Sequence, residues 1–308
     1  MTRRFIDICL RGAGQVMFQN DPRSGALFLA ALGWGALAAG VPYVMLGGLS
    51  ALAAATAAAM ALRADDAALR AGLCSYNAIL IGMAVTYFLG PGLPVLAYAV
   101  LGGMLSALAM LGPMNAARPW IVSAHTYPFV LITRLLLLAA QAFAGLPAIA
   151  PPVPETGPIA SDPLDVGAFV GGMLHSISQV FFKGNTISAL LLLAGLAVRS
   201  FAAAGFALGG ALLAVATAHV FGVESELISS GIQGFSPVLT AIAFGTVFYR
   251  PSWRTALFAA LATVVTVVAQ AALKTALAPL ALQPLSAPFD VVAWLLLVPR
   301  RYVEGRGR

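Results

Sequence analysis

The residues able to do chemistry in this chain are amides, hydroxyls and aromatics, and they come in duplicate. Gln15-Val16-Met17-Phe18-Gln19-Asn20 returns as Gln179-Val180-Phe181-Phe182-Lys183-Gly184-Asn185. Gly72-Leu73-Cys74-Ser75-Tyr76-Asn77-Ala78-Ile79-Leu80 returns as Gly231-Ile232-Gln233-Gly234-Phe235-Ser236-Pro237-Val238-Leu239, and Thr126-Tyr127-Pro128-Phe129 as Ser286-Ala287-Pro288-Phe289. All three recur at offsets of about 160 residues, so the chain is a duplicated unit. Catalysis asks for other groupings. Cys9 and Cys74 are isolated thiols, which argues against a disulfide framework or a zinc site. His125, His175 and His219 are far apart and show no metal spacing. With no nucleophile–base pair in view, the chain does not read as an enzyme, and no cofactor is expected.

The elements that must position these residues belong to a membrane. Of 308 residues, 60% are hydrophobic and 9% charged, against roughly 25% charged in an ordinary soluble domain. Such a chain cannot cover its own surface in water, so an all-α integral membrane protein is expected. Crossings are read near 25–46, 48–62, 75–90, 93–111 and 120–144, then near 187–199, 203–222, 235–249, 255–273 and 279–299. Breakers such as Gly90-Pro91-Gly92, Gly112-Pro113 and Arg250-Pro251 separate them. Each Gln-containing cluster, too short to cross and too apolar for a free loop, reads as a re-entrant half-helix. The domains expected are a first repeat over 1–150, a connector over 151–166, and a second repeat over 167–308. The N-terminus, with Arg3, Arg4, Asp7 and Arg11, does not read as a signal peptide.

Five crossings per half would invert the second half relative to the first. Arginine placement fits that topology. With the N-terminus in the cytoplasm, Arg3, Arg4, Arg11, Arg23, Arg63, Arg70, Arg118, Arg199, Arg250, Arg254, Arg300, Arg301, Arg306 and Arg308 fall inside. Lys183 and Lys274 fall outside, and the Pro-rich stretch between the halves carries Glu155, Asp162 and Asp165 without a Lys or Arg. The net charge of +6 is thus a topology signal, and nucleic acid is not an expected partner. Inverted repeats place their solute near the midplane, where broken helices line a cavity. Thr126-Tyr127-Pro128 and Ser286-Ala287-Pro288 read as such breaks, with proline expected to free an upstream carbonyl for a permeant molecule.

Taken together, Gln15-Val16-x-Phe18-x-Asn20, Tyr76-Asn77-Ala78-x-Leu80 with its partner Phe235-Ser236-Pro237-Val238-Leu239, and Thr126-x-Pro128-Phe129-Val130 resemble the urea transporter family over nearly the whole chain. The resemblance implies two inverted repeats, each of five transmembrane helices plus one re-entrant half-helix, around a central pore. It implies a passive, channel-type facilitator of urea, a homotrimer with one pore per subunit, in a bacterial-type inner membrane with both termini cytoplasmic. It implies a flat slot walled by Phe18, Tyr76, Phe182 and Phe235 and pinched by Val16, Val180, Leu80 and Leu239. Gln15, Gln179 and the backbone around Thr126 and Ser286 would form a ladder of oxygens along its edge. Such a slot suits a thin neutral amide. Oxygen acceptors replace the water lost by its N–H groups at a net gain of about 1 kcal/mol per bond, weak enough for release.

Some residues have other readings. The glutamines could instead pack neighbouring helices, Thr126 and Ser286 could cap the helices that follow them, and Asn20 and Asn185 are expected to cap or brace. Gly205-x-x-x-Gly209 could be a helix-packing motif. Arg134 and Asp290 depart from the family pattern; they could pair as ions across the pseudo-twofold axis, sit at a pore mouth, or face a subunit interface. Ser286 in place of the family's threonine keeps the hydroxyl and loses a methyl. These departures leave another small amide or ammonia as the alternative solute, and an ion-coupled transporter relying on Asp290 as a rival from another class.

Overall fold

The computed structural model describes residues 2–116, 125–147, 165–182, 184–280, 282–297 and 303. The connector over 151–166 therefore lies outside the described residues, save Asp165 and Val166. So do Arg118, Lys183, Arg300, Arg301, Arg306 and Arg308 of the charge count. The described residues form helices and no strand, in two compact units, Met1–Ala150 and Pro151–Arg308.

The first unit runs α1 (Thr2–Gln15), α2 (Pro22–Ala38), α3 (Pro42–Ala61), the short α4 (Asp66–Arg70), α5 (Tyr76–Leu89), α6 (Leu93–Ala116) and α7 (Tyr127–Ala140). Small residues let its helices touch along their backbones. A Cβ on Gly82 of α5 would stand 2.2 Å from the Gly47 carbonyl oxygen of α3. One on Gly103 of α6 would stand 2.6 Å from the Ala51 carbonyl oxygen. In a bilayer, where lipid is as apolar as leucine, such close approach is what favours helix on helix over helix on lipid. The α2 start is fixed by Asp21, whose carboxylate accepts from the Arg23 N–H at 2.8 Å. Hydrogen bonding from Arg23 holds the Asp21 carboxyl below its ordinary range.

The second unit has α8 (Val166–Ser178) with a 3-10 turn over Gln179–Phe181, α9 (Thr186–Arg199), α10 (Phe201–Val220) and the short α11 (Ser225–Ser229). It continues with α12 (Phe235–Ile242), a π turn over Ala243–Val247, α13 (Trp253–Leu277) with a 3-10 extension over Ala278–Leu280, and α14 (Ala287–Leu296). Thr240 of α12 and Thr266 of α13 share a hydroxyl–hydroxyl bond of 2.9 Å in its core. The glycines of Gly205-x-x-x-Gly209 have open space where a side chain would be, so they seat no helix within this unit.

Among the described residues, four helices are long and apolar enough to cross a membrane: Pro42–Ala61, Leu93–Leu111, Phe201–Val220 and Trp253–Leu280. Helices α8 and α9, bent by 72°, would make a fifth if counted as one span. Several expected crossings are shorter or displaced. The boundary between the first two falls at Gly40-Val41, where Gly40 takes φ +68 and Pro42 starts α3, so 25–46 ends early and 48–62 begins early. The expected crossings at 75–90 and 235–249 are a 14-residue helix and an 8-residue helix with its π turn. At 1.5 Å per residue each spans about 20 Å, short of the roughly 30 Å core. Gln15 ends α1, and the residues after it form the turn into α2, so the cluster is a helix end and not a helix of its own.

Candidate functional site

The two Gln-x-x-Phe clusters fold alike. In the first unit Phe18 takes φ +63, its N–H bonds the Gln15 carbonyl at 3.0 Å, and the Gln19 N–H bonds the Gly14 carbonyl at 2.9 Å. That bond pair closes a helix on a left-handed residue. In the second unit Phe182 takes φ +60 and its N–H bonds the Gln179 carbonyl at 2.9 Å. Glycine is the ordinary occupant of that position; a residue with a Cβ costs roughly 1–2 kcal/mol there. Both units accept the strain and keep a ring half-buried at the bend.

The glutamines do the same work in each unit. Gln15 Nε2 donates to the Ala71 carbonyl at 2.9 Å, and Gln179 Nε2 to the Ser230 carbonyl at 3.0 Å. A carbonyl can only accept, so the bond fixes which end of each amide faces the loop and leaves Oε1 as the outward acceptor. The bonded residues precede Gly72 (φ +74) and Gly231 (φ +75). At these turns a Cβ would lie 2.3 Å from the Gly12 nitrogen or from His175 and Ser176 backbone atoms. His175 Nδ1 is 2.7 Å from the Ser229 carbonyl and adds to the second loop's support. The asparagines meet their expectation: Asn185 caps α9 by accepting from the Ser188 N–H at 3.0 Å, and Asn20 accepts from Arg11 at 2.9 Å.

Three residues past each turn glycine the contact repeats with its parts exchanged. In the first unit Gly12 of α1 faces Ser75: a Cβ there would be 2.5 Å from the Ser75 hydroxyl oxygen. In the second, Ser176 of α8 faces Gly234, whose Cβ would be 2.0 Å from the Ser176 hydroxyl oxygen. Each contact has room for one hydroxymethyl group, supplied from opposite sides.

Helices α5 and α12 then each carry an aromatic and a leucine one turn apart, Tyr76 with Leu80 and Phe235 with Leu239. Tyr76, Leu80 and Leu239 are buried and Phe235 is half-buried. The next residue along braces the last segment. Asn77 Nδ2 donates to the His125 carbonyl at 3.3 Å, where the Tyr76 hydroxyl also donates. The Ser236 hydroxyl donates to the Leu285 carbonyl at 3.3 Å. His125 (φ +42) and Leu285 (φ +53) are left-handed too, and each immediately precedes Thr126 or Ser286. Those two hydroxyl residues occupy the N-cap positions of α7 and α14 and are buried, without a side-chain cap bond. Their carbonyls accept the Val130 and Asp290 N–H groups at 3.1 and 3.2 Å.

Within the first unit the structure therefore links Gln15 to the turn before α5, and α5 to the segment before Thr126; within the second it links Gln179, α12 and the segment before Ser286 in the same way. Val16 and Val180 are buried beside their glutamines. The prolines differ from expectation. Pro128 and Pro288 are the second residues of α7 and α14, where a helical N–H would lack a partner anyway. The Pro284 carbonyl, four residues before Pro288, accepts the Ala287 N–H at 3.2 Å. The prolines therefore free no upstream carbonyl here, and the carbonyls of the left-handed residues before Thr126 and Ser286 are held by side chains of α5 and α12. The bracing roles of Asn77, Ser236, His125 and Leu285 are not legible in the sequence. Asn77 and Ser236 stood inside the repeated segment, and only that doubling could have pointed to them.

The family model for urea transporters matches residues 6–301. The chain is similar to Urea transporter 1 of Ovis aries, at 25% identity over 96% of this chain and 77% of that protein. It is similar to Urea transporter 1 of Capra hircus at 24%, with the same coverage. It is also similar to Urea transporter 1 of Rattus norvegicus at 27% over 83% of this chain and 67% of that protein. The family match takes in both copies of every braced segment, and the chain belongs to the urea transporter family.

Proposed function

We propose that the chain is a passive channel for urea, with its filter built from the duplicated segments. In this reading the short helices combine with their neighbours into five crossings per repeat, the repeats are inverted, and each supplies one wall of a flat slot. Phe18, Tyr76, Phe182 and Phe235 form the faces; Val16, Leu80, Val180 and Leu239 narrow the middle. Gln15 and Gln179 Oε1, with backbone oxygens near Thr126 and Ser286, line the edge. The observation that carries this reading is the repeated brace: in both units a side chain at the start of the short helix holds the carbonyl of a left-handed residue. Left-handed non-glycine residues cluster where a function requires the strain; here Phe18 and Phe182 are themselves proposed filter residues, His125 and Leu285 adjoin Thr126 and Ser286, and only Arg63, in the turn after α3, stands apart among the described residues. A dry, neutral slot admits a planar amide and rejects ions, whose desolvation it cannot repay. The functional unit in this reading is a homotrimer in the inner membrane, with both termini in the cytoplasm.

The test is solute flux in proteoliposomes, comparing urea with formamide, acetamide and ammonia. Fast urea flux without a proton or sodium gradient is expected. No urea flux, with flux of another neutral solute, would replace urea by that solute. Asp290 favours one rival reading, because a carboxyl buried in the first turn of α14 is a candidate coupling group. Gradient-dependent urea flux that disappears in Asp290→Val would establish ion coupling instead.

A further inference from the structure

A charged pocket of about 420 Å³ lies in the first unit, lined by Arg4, Asp7, Ile8 and Arg11 of α1, Asn20 of the following turn, and Ala67, Arg70 and Ala71 of the α4 region. Its arginines come from two elements that are tied by ions. Asp66 bridges Arg4 and Arg70, with 2.7 Å to Arg70 Nε. Arg11 Nε meets Asp7 at 2.8 Å, and its Nη1 meets Asn20. Three guanidinium groups against the Asp7 and Asp66 carboxylates leave one positive charge. Among the described residues, both terminal nitrogens of Arg70, Arg11 Nη2 and Arg4 Nη1 have no acceptor. The pocket thus offers planar donor edges with a positive balance, the geometry that grips a phosphate through paired bonds.

The charge is not a requirement of the repeated fold. The matching positions in the second unit are Ala168, Gly171, His175 and Ser229. The place of the pocket also limits what reaches it. Helix α3 is a 20-residue span-length helix, and its last residue, Ala61, leads through exposed Leu62 and Arg63 into α4. The pocket therefore lies where a span ends, at the level of lipid headgroups. Helix α1 beside it buries Ile8, Gly12, Ala13 and Gly14 against the rest of the unit and leaves Arg3, Arg4 and Ile6 exposed at its start.

We propose that this pocket is a binding site for the phosphodiester headgroup of an anionic phospholipid, with Arg4, Arg11 and Arg70 as its donors. The headgroup takes the unused N–H groups.

The test is thermal unfolding of the full chain in neutral detergent, titrated separately with phosphatidylglycerol, phosphatidylcholine and inorganic phosphate. Ligand that binds the folded state raises the midpoint, by an amount that grows with the logarithm of its concentration over its Kd. Phosphatidylglycerol should raise it and phosphatidylcholine should not. Arg4→Gln and Arg70→Gln should each raise the phosphatidylglycerol concentration needed for a given shift about fivefold, the share of one basic residue at a membrane surface. Arg70→Lys keeps the charge and the tie to Asp66 while removing the planar fork, so it tests the site if Arg70→Gln misfolds; it too should weaken binding. Arg254→Gln, exposed in the second unit, should leave it unchanged. Equal responses to the two lipids, or a phosphatidylglycerol response untouched by the pocket variants, would overturn the proposal. A response to inorganic phosphate without one to phosphatidylglycerol would overturn the lipid assignment.

Discussion

The Tyr76 hydroxyl donates to the carbonyl of His125, a residue 49 positions away. Asn77 donates to the same oxygen, so both lone pairs of that carbonyl are taken by adjacent residues of one helix end. In the second unit Phe235 has no hydroxyl, and Ser236 alone holds the Leu285 carbonyl among the described residues. The two braces differ by one donor, and that difference can be measured. Tyr76→Phe and Asn77→Ala should each cost about 1 kcal/mol of stability, because the other donor remains. The double variant should cost more than the sum, by about another 1 kcal/mol, since the buried carbonyl is then left bare. Thermal unfolding of the four proteins in detergent gives the coupling; strict additivity would show that the donors do not share one acceptor.

The glutamine brace predicts a charge effect. Gln15→Glu replaces the donor facing the Ala71 carbonyl by an acceptor, and Gln179→Glu does so at Ser230. Each should destabilise the folded chain by about 1–3 kcal/mol at neutral pH and lower urea flux at least fivefold. Gln15→Met, of similar length, should lose about one hydrogen bond's worth of each. Wild-type flux and stability in Gln15→Glu would remove the amide from both roles.

The exchanged Gly–Ser contact predicts rescue. Gly12→Ser puts two hydroxymethyl groups where one fits and should cost about 1–3 kcal/mol. Adding Ser75→Gly recreates the second unit's arrangement and should bring stability back to within about 1 kcal/mol of the parent. Failure of the second change to rescue the first would mean that the α1–α5 contact is not limited by this pair.

Two glycines should respond in opposite senses to alanine. Gly72→Ala forces a Cβ into the backbone of Gly12 at φ +74 and should abolish folding or cost more than about 3 kcal/mol. Gly209→Ala adds a methyl in open space on α10 and should stabilise by up to about 1 kcal/mol. Recovery of folded protein after solubilisation, followed by a melting curve, separates the two.

What could be read from the sequence follows from what repetition and hydropathy encode. Doubling marked the segments that carry the braces, because a motif written twice stands out against an apolar background. Hydropathy located apolar stretches but not where helices stop. The segment 75–90 looked like a crossing because every face of α5 is apolar; its 14 residues are set by the left-handed Gly90 after it. Likewise the end of α1 was hidden because Gly12-Ala13-Gly14 has no helical pattern, and the left-handed turn that ends it is made by a phenylalanine in place of glycine. Donor choice by Gln15, or the brace between Asn77 and His125, depends on segments 48 and more residues apart meeting in space. Single-chain periodicity carries no record of that.

The π turn in α12 shows where the two copies of the unit fall out of step. The offset is 159 residues between Tyr76 and Phe235, and 160 between Thr86 and Thr246 and between Pro91 and Pro251. Thr86 and Thr246 make the same bond to the carbonyl four residues back, each at 2.8 Å. One extra residue therefore entered the second copy between these markers, and the π turn at Ala243–Val247 is where the helix absorbs it. Gly245 stands there against the Phe206 ring, which a Cβ would meet at 2.4 Å. Its effect is a change of phase. Phe235 to Leu239 keep the phase of Tyr76 to Leu80, while everything beyond is advanced by one residue, and the length difference is taken up away from the proposed filter.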